Sequence, residues 1–354
     1  MCMKRNTGLD LVRTIAIFSV VGVHFFLNTN FYKVPVAGYS MILQVALRWL
    51  FTMCVPLFIM LTGYLQTEKT PEKRYFKKLI PILGVYLFYS VLSIIMRIVY
   101  LKEDKSIIMW IASILTFDAD KYSWYINMFI GLFLLTPFLN LIHKHLNNAK
   151  EYRIFLLILI FLTGVPGFFN YLASFKGIFK VLSFSDWWKN FYPITYFFIG
   201  AYIKRFQVKL DKKLALISLG LVVLFETALT VFCSWNKLFV AVIGDYGSIF
   251  IIAEAVLCFI IFYDLKIENK HISGLLGMIS VLSLDIYLCS YISDKLVYIF
   301  VMKNIFKSQQ QIMYYSVFIV LTSFTLSFIV AFIRYKAVRL KIVQESKFIK
   351  SISQ

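Results

Sequence analysis

The chain has 354 residues, of which 60% are hydrophobic, 18% aromatic and 16% charged, and its formal net charge is +19. This composition excludes a disordered chain, a collagen-like fibre and a small disulfide-stabilised domain. It also argues against an ordinary soluble enzyme, because so few polar residues cannot coat a globular surface. The class that remains is an all-α, polytopic membrane protein.

Apolar runs of about 20 residues predict membrane-spanning helices. In chain order the runs are 8–28, 40–66, 77–100, 123–143, 153–171, 188–206, 213–234, 246–264, 277–301 and 312–338. A shorter run at 107–117 predicts an interfacial or re-entrant helix before the fourth span. We therefore expect a bundle of about ten transmembrane helices that forms a single domain over residues 1–338. A short basic cytoplasmic tail follows at 339–354.

The basic residues follow the membrane topology. If the N-terminus is cytoplasmic, roughly two thirds of the 37 lysines and arginines fall on the inner side, as the positive-inside rule requires. An even number of spans then places both termini in the cytoplasm. We expect the lipid bilayer, and not nucleic acid, to explain the positive charge. The five cysteines show neither a metal-ligand spacing nor a disulfide framework, and we expect no metal site.

Ionisable residues inside membrane spans are costly and usually functional. Arg13 and His24 are eleven residues apart in the first predicted span, so they share one stripe of a helix, about 16 Å apart along its axis. Arg13, near the cytoplasmic end, is suited to bidentate contact with phosphate. His24, deeper in the membrane, is suited to proton transfer or acyl relay. The alternative is structural: His24 would hydrogen-bond a neighbouring helix, and Arg13 would extend to the membrane surface.

Five segments carry recognisable motifs. They are RNTGLDLVRTIAIFSVVGVHFF at 5–26, VPLFIMLTGYL at 55–65, SWYINMFIGLFLLTPFLN at 123–140, FYPITYFFIGAYIKRF at 191–206 and LSLDIYLCSYISD at 282–294. In this order they resemble segments of the acyltransferase-3 family, which comprises integral-membrane enzymes that O-acylate surface glycans and related acceptors. The first segment matches a family pattern of a basic residue, ten residues and a histidine, with Arg13 and His24 in those places.

The resemblance implies an acyl-CoA donor, most often acetyl-CoA, that is reached from the cytoplasm, and no tightly bound cofactor. It implies that His24 is the general base or a transient acyl carrier, and that Arg13 contacts the donor's phosphates. Arg74, Lys77 and Lys78 are further candidates for these phosphates. Many members of the family carry arginines at that point, whereas here only the charge is kept.

Further polar residues are candidates with open alternatives. Trp124, Tyr125 and Asn127 at the outer end of the fourth span would bind the acceptor, or the aromatics would belong to the interfacial belt. Asp10 would orient Arg13 or cap the start of the helix. Arg48 and Glu254 would support the site. Glu254 and Glu226 would be structural if Arg48 or Lys295 pairs with them, or would relay protons.

The sequence thus predicts a multi-pass O-acetyltransferase of the bacterial plasma membrane. It would move an acetyl group from cytoplasmic acetyl-CoA to a hydroxyl of a cell-surface polysaccharide or of a lipid-linked oligosaccharide. One alternative is a non-glycan acceptor. Another is a glycan transporter or flippase without acyltransferase activity, which should show internal repeats and broken helices in matching halves. The oligomeric state stays open, with a homo-oligomer as one alternative.

Overall fold

The computed structural model describes residues 5–176, 185, 187–306 and 308–352. Its helices are α1 (Thr7–Asn28), α2 (Gly38–Thr52), α3 (Cys54–Gln66), α4 (Lys73–Phe76), α5 (Leu79–Val99), α6 (Ile107–Leu115), α7 (Trp124–His145), α8 (Ala149–Lys176), α9 (Tyr192–Phe206), α10 (Lys212–Ser234), α11 (Ile249–Phe262), α12 (Lys270–Asn304), α13 (Gln309–Tyr314) and α14 (Ser316–Ile352). No β-strand occurs within the described ranges. Residues 353–354 of the predicted tail lie outside them.

The all-α polytopic bundle is confirmed. By length and composition, 8 helical segments are able to cross a membrane. They are Thr7–Lys33, Gly38–Gln66, Lys73–Val99, Trp124–His145, Ala149–Asn170, Lys212–Ser234, Lys270–Asn304 and Ser316–Leu340. The predicted spans 188–206 and 246–264 instead contain the shorter helices α9 and α11, of 15 and 14 residues. The count of ten spans and the cytoplasmic placement of both termini therefore stay predictions.

Helix α1 lies at the centre of the bundle. The side chain of Asn6 caps its first turn by accepting from the backbone N–H groups of Gly8 and Leu9. Helix α1 packs against α2, α3, α11, α12 and α14. Because neighbours surround this helix, the polar side chains of Arg13 and His24 point into protein rather than into lipid, as intramembrane ionisable residues require.

Helices α3 and α9 cross at close range through two glycines. A Cβ atom at Gly63 would overlap the carbonyl oxygen of Phe197, and one at Gly200 would overlap the carbonyl oxygen of Met60. Small residues at such a crossing let two backbones touch, which is a common way for membrane helices to pack. The crossing fixes α3, and with it Val55, beside α1.

Buried Arg97 connects the end of α5 to the segment between α5 and α7. Its guanidinium donates to both carboxylate oxygens of Glu103, at 2.9 and 2.7 Å, and to the carbonyl oxygens of Asp118 and Ala119, at 3.0 and 2.8 Å. It also lies 5.0 Å from the ring centroid of Trp110 in α6. These contacts set the position of the loop that leads into α7.

Candidate active site

His24 faces a buried carboxylate. Its Nδ1 atom lies 3.3 Å from Oδ2 of Asp294 in α12, at an ion-pair distance but without the alignment of a hydrogen bond. The Asp294 side chain is fully buried, and it accepts hydrogen bonds from Tyr122 and Ser323. A carboxylate on one ring nitrogen orients an imidazole and stabilises it when it gains a proton. The other nitrogen is then left for a substrate.

Tyr122 covers the imidazole of His24. The two rings stack with centroids 3.7 Å apart, and the Tyr122 hydroxyl donates to Asp294 over 3.0 Å. Tyr287 donates to the carbonyl oxygen of Tyr122, which holds the loop in place. Burial raises the pKa of Tyr122 well above its ordinary value, so this hydroxyl remains a donor throughout the physiological range.

His24 lines a cavity of about 260 Å³ near the C-terminal end of α1. Aromatic side chains dominate its wall, and Trp124 stacks on Tyr246 with ring centroids 5.6 Å apart. Cys54 and Lys121 also line it. The cavity combines flat apolar rings with a proton-transfer group, which suits a sugar or another hydroxylated ligand.

Arg13 lines a second cavity, of about 240 Å³. Its Nη1 atom donates to the hydroxyl of Ser280 in α12 over 2.9 Å, which aims the guanidinium. The rest of the wall is mainly apolar, with Thr62, Gln66 and Ser283 as its other small polar groups. Among the described lining residues, Arg13 is the one with a formal charge. The cavity therefore suits an elongated apolar group attached to an anion.

The two cavities meet at a common wall. Val20, Val55 and Tyr287 line both of them. Arg13 and His24 thus face adjoining spaces from a single helix, as their spacing predicts.

Sequence similarity covers nearly the whole of this bundle. The family model of an acyltransferase domain, Acyl_transf_3, matches residues 6–334. The chain belongs to the acyltransferase-3 family. Together with the apolar helices, this membership makes it a multi-pass membrane acyltransferase. No curated protein and no solved structure matches the chain.

The basic cluster that the acyltransferase-3 resemblance suggests lies outside the Arg13 cavity. Arg74, Lys77 and Lys78 are exposed around the junction of α4 and α5 and are absent from the lining. Ile82, one helical turn after Lys78, does line the cavity. The cluster is therefore close in sequence to a residue that lines the cavity, but of the four predicted phosphate contacts only Arg13 lines the cavity itself.

The aromatic end of α7 divides between the two cavities of this acyltransferase. Trp124 lines the His24 cavity, and Tyr125 lines the Arg13 cavity. Asn127 is exposed and lines neither. An acceptor contact through Asn127 thus finds no support in this geometry.

The structure gives Asp10 a different hydrogen-bond partner from those that the sequence suggests. Asn6 supplies the helix cap, because Asp10 lies too far inside α1 to do so. The carboxylate of Asp10 accepts from Arg5, and Arg5 also donates to the carbonyl oxygen of Gly277 in α12. Asp10 therefore helps to fix the start of α1, and Arg13 takes Ser280 as its hydrogen-bond partner.

Arg48 and Glu254 lie apart from both cavities. Arg48 donates to the hydroxyls of Tyr32 and Thr52. Glu254 and Glu226 are neighbours in the core, close enough for one carboxyl, when protonated, to donate a hydrogen bond to the other. Within the described part of the chain, neither Arg48 nor Lys295 forms an ion pair with these carboxyls, so the predicted structural pairing is absent.

Sequence reasoning missed Asp294, Tyr122 and Tyr246. Asp294 offered a signal, because it is an ionisable residue inside the predicted span 277–301 and ends the fifth family-like segment. The two tyrosines gave no signal among the 22 in the chain. Within the part of the chain that the structure describes, no group of three or more His, Cys, Asp or Glu residues is placed to hold a metal ion.

Proposed function

We propose that this acyltransferase is an O-acetyltransferase of a bacterial plasma membrane. It moves an acetyl group from cytoplasmic acetyl-CoA to a hydroxyl of a cell-surface glycan or of its lipid-linked precursor. The observation that carries this proposal is the placement of Arg13 and His24 on one helix, each in its own cavity, with a shared wall between them. Two substrates that approach from opposite sides require such an arrangement.

The donor occupies the Arg13 cavity. A guanidinium binds phosphate through two parallel N–H groups, so Arg13 holds a phosphate of the coenzyme. The apolar remainder of the cavity takes the pantetheine arm with its acetyl thioester, which is directed toward Val20, Val55 and Tyr287. Arg74, Lys77 and Lys78 attract the polyanion at the cytoplasmic surface, where long-range steering does not require direct contact.

The chemistry takes place at His24. As general base, the imidazole takes the proton of the acceptor hydroxyl, whose oxygen attacks the thioester carbonyl. The carbon–sulfur bond breaks, and the coenzyme's thiolate recovers a proton from the imidazolium. Asp294 stabilises the positive ring between these two transfers. A relay in which His24 itself carries the acetyl group would use the same contacts.

The acceptor occupies the His24 cavity. The stacked pair of Trp124 and Tyr246 offers a flat face to a sugar ring. Both residues lie at the end of the bundle from which the outer loop folds over, so an acceptor enters from that side.

Membrane vesicles provide the test of this proposal. Inverted vesicles that contain the protein are given radiolabelled acetyl-CoA, and label in the glycan and glycolipid fractions is counted. We expect label with the wild type and with Lys303→Gln, whose side chain is exposed and lines neither cavity. We expect none with His24→Gln. Equal label with His24→Gln would reject His24 as the reacting base, and glycan movement without any label would reject an acetyltransferase.

A further inference from the structure

A third pocket adjoins the acceptor cavity and carries a lysine with an unusual environment. The pocket has a volume of about 240 Å³ and shares Leu27 with the His24 cavity. Its polar lining consists of Asn28, Asn30, Lys295 and Tyr298. Among the residues that the structure describes, no carboxylate lies within ion-pair distance of the Lys295 ammonium, which lies 5.7 Å from the ring centroid of Tyr291 and is attracted by Asp294 only at longer range. A partly buried cation is costly unless an anion accompanies it.

Two further observations indicate that a ligand completes this pocket. An ammonium group has three N–H donors, and Lys295 uses one of them, toward Oδ1 of Asn28 over 3.1 Å. Tyr298 is 98% buried, and its hydroxyl has no hydrogen-bond partner. Buried polar groups are nearly always paired. Both groups donate hydrogen bonds, so the missing partner is an acceptor of hydrogen bonds.

A chain of polar contacts also connects the pocket to His24. The Asn28 amide that holds Lys295 donates to the hydroxyl of Tyr122 over 3.0 Å, and that hydroxyl donates to Asp294. Asp294 in turn faces His24. A ligand that engages Lys295 therefore acts on the same chain of contacts that orients the imidazole.

We propose that Lys295 and Tyr298 form a subsite for an anionic group of the acceptor, with Asn28 holding the Lys295 ammonium in place. This inference rests on the proposed function, because it assigns the acceptor a charge. The anion is a phosphate or a carboxylate, which an ammonium and a hydroxyl can bind together. A phosphate would belong to a polyprenyl-linked saccharide, and a carboxylate would belong to an acidic sugar of the glycan. In either case the anion binds next to the cavity that holds the reacting hydroxyl.

Binding to the full-length protein in phosphatidylcholine nanodiscs tests the subsite without acetyl-CoA. Polyprenyl monophosphate and glucuronate are the two anionic probes, and polyprenol and glucose are their neutral counterparts. The readout is the ligand-induced rise in the midpoint of thermal unfolding, since a ligand that binds the folded state stabilises it. We expect at least one anionic probe to raise the midpoint for the wild type and for Lys303→Gln, while its neutral counterpart does not.

The variants decide whether the response comes from this pocket. Lys295→Gln and Tyr298→Phe should each bind the active probe roughly tenfold more weakly, the loss expected for one charge-assisted hydrogen bond. A response to polyprenyl monophosphate indicates a lipid-linked acceptor, and a response to glucuronate indicates an acidic sugar. The subsite is rejected if neither anion acts, if a neutral counterpart acts equally, or if Lys295→Gln binds like the wild type.

This outcome is separable from that of the acetyl-transfer assay. Charge-independent binding together with intact acetyl transfer would reject the anion subsite alone. Anion binding that depends on Lys295, together with absent acetyl transfer, would reject the proposed function alone.

Discussion

At the scale of single residues, the site depends on how one imidazole is held. His24 is fixed from two sides, by the ring of Tyr122 above it and by Asp294 at its Nδ1 atom. Ser323 and Tyr122 both donate hydrogen bonds to the Asp294 carboxylate, and these two bonds fix its orientation. The arrangement selects one orientation of the ring before any substrate binds, which lowers the cost of proton transfer.

Replacement of Asp294 by asparagine tests this role. The Asp294→Asn variant keeps the shape of the side chain but removes the charge that stabilises an imidazolium. We expect acetyl transfer to fall by a factor of about 10²–10⁴, within the range found when such a carboxylate or its base is removed. The rate is measured in membranes that contain equal amounts of each protein.

Asp264→Asn is the matched control for this substitution. Asp264 forms an exposed ion pair with Lys212, and such pairs contribute little. A rate of Asp294→Asn that equals the rate of Asp264→Asn would contradict the assignment of Asp294 as the partner of His24.

The contact between Arg13 and the donor predicts a change in binding. Arg13→Lys keeps the charge but removes the planar pair of N–H groups, so we expect KM for acetyl-CoA to rise about tenfold. The same substitution at exposed Arg74, which lies outside the cavity, should change KM much less. Steady-state rates over a range of acetyl-CoA concentrations measure both. Larger sensitivity at Arg74 would place the phosphate site at the surface cluster instead.

Residue types and spacing predict only those parts of the site that lie on one helix. Arg13 and His24 could be paired because helical geometry relates them directly. Asp294 is 270 positions from His24, and only the packing of α1 against α12 brings the two together. Asp10 lies on the same helix as Arg13, yet its spacing does not predict its hydrogen-bond partner. That partner is Arg5, whose side chain lies between Asp10 and the carbonyl oxygen of Gly277 in α12.

At the scale of elements, the Arg97–Glu103 ion pair connects loop order to pH. Hydrogen bonds from Arg97 hold the pKa of Glu103 below its ordinary value of about 4.3. The stabilisation from this pair is therefore complete above the ordinary value and is lost as the pH falls through the lowered pKa. The affected segment is the loop at 116–123, which Arg97 also holds through two carbonyl oxygens.

Hydrogen exchange detects this effect, and a substitution reproduces it at neutral pH. We expect Glu103→Gln to speed exchange of the backbone amides at 116–123 at pH 7, because Arg97 loses its counter-charge. Asp118→Asn breaks only the exposed pair with Lys121 and should leave exchange nearly unchanged. Equal exchange in Glu103→Gln and the wild type would show that the ion pair does not order this loop.

The close crossing of α3 and α9 predicts that the free energy of unfolding depends strongly on the glycines at the crossing. Gly63→Ala places a methyl group against the carbonyl oxygen of Phe197, so the helices must separate. We expect this to lower the free energy of unfolding by about 1–3 kcal/mol, as overpacking does elsewhere. Gly220→Ala in α10 meets nothing within 4 Å and should have no such cost. Thermal unfolding in detergent compares the two, and similar midpoints would contradict the close crossing.

Apolar length predicts where helices occur better than it predicts how they are broken. The run 107–117 forms the short helix α6, as predicted. The run 40–66 contains two helices that meet at Met53, which belongs to neither of them. Pro56 is a sign of that break in the sequence, because a proline has no N–H to donate to the carbonyl oxygen of Thr52 four residues before it. Apolar length alone does not register such breaks, and it also overestimates the helices in 188–206 and 246–264.

At the scale of the whole molecule, the proposed reaction requires a fixed orientation in the membrane. The donor cavity must open toward the cytoplasm and the acceptor cavity toward the outside. With both termini cytoplasmic, the loop at 207–211 lies inside and the loop at 100–106 lies outside. Single cysteines at Lys209 and Lys102 report these positions, because the four described native cysteines are buried. We expect an impermeant maleimide to label Lys102→Cys in intact cells and Lys209→Cys only after lysis.

The central claim is that His24 transfers an acetyl group to a surface glycan. Proton NMR of glycan from cells that carry wild-type protein, His24→Ala or no protein tests it most directly, with the abundance of each variant checked in the membrane. We predict O-acetyl methyl signals with the wild type alone, at an unchanged amount of glycan. An unchanged acetyl pattern in all three strains, with reduced export of glycan where the protein is absent, would contradict the account and favour a transporter.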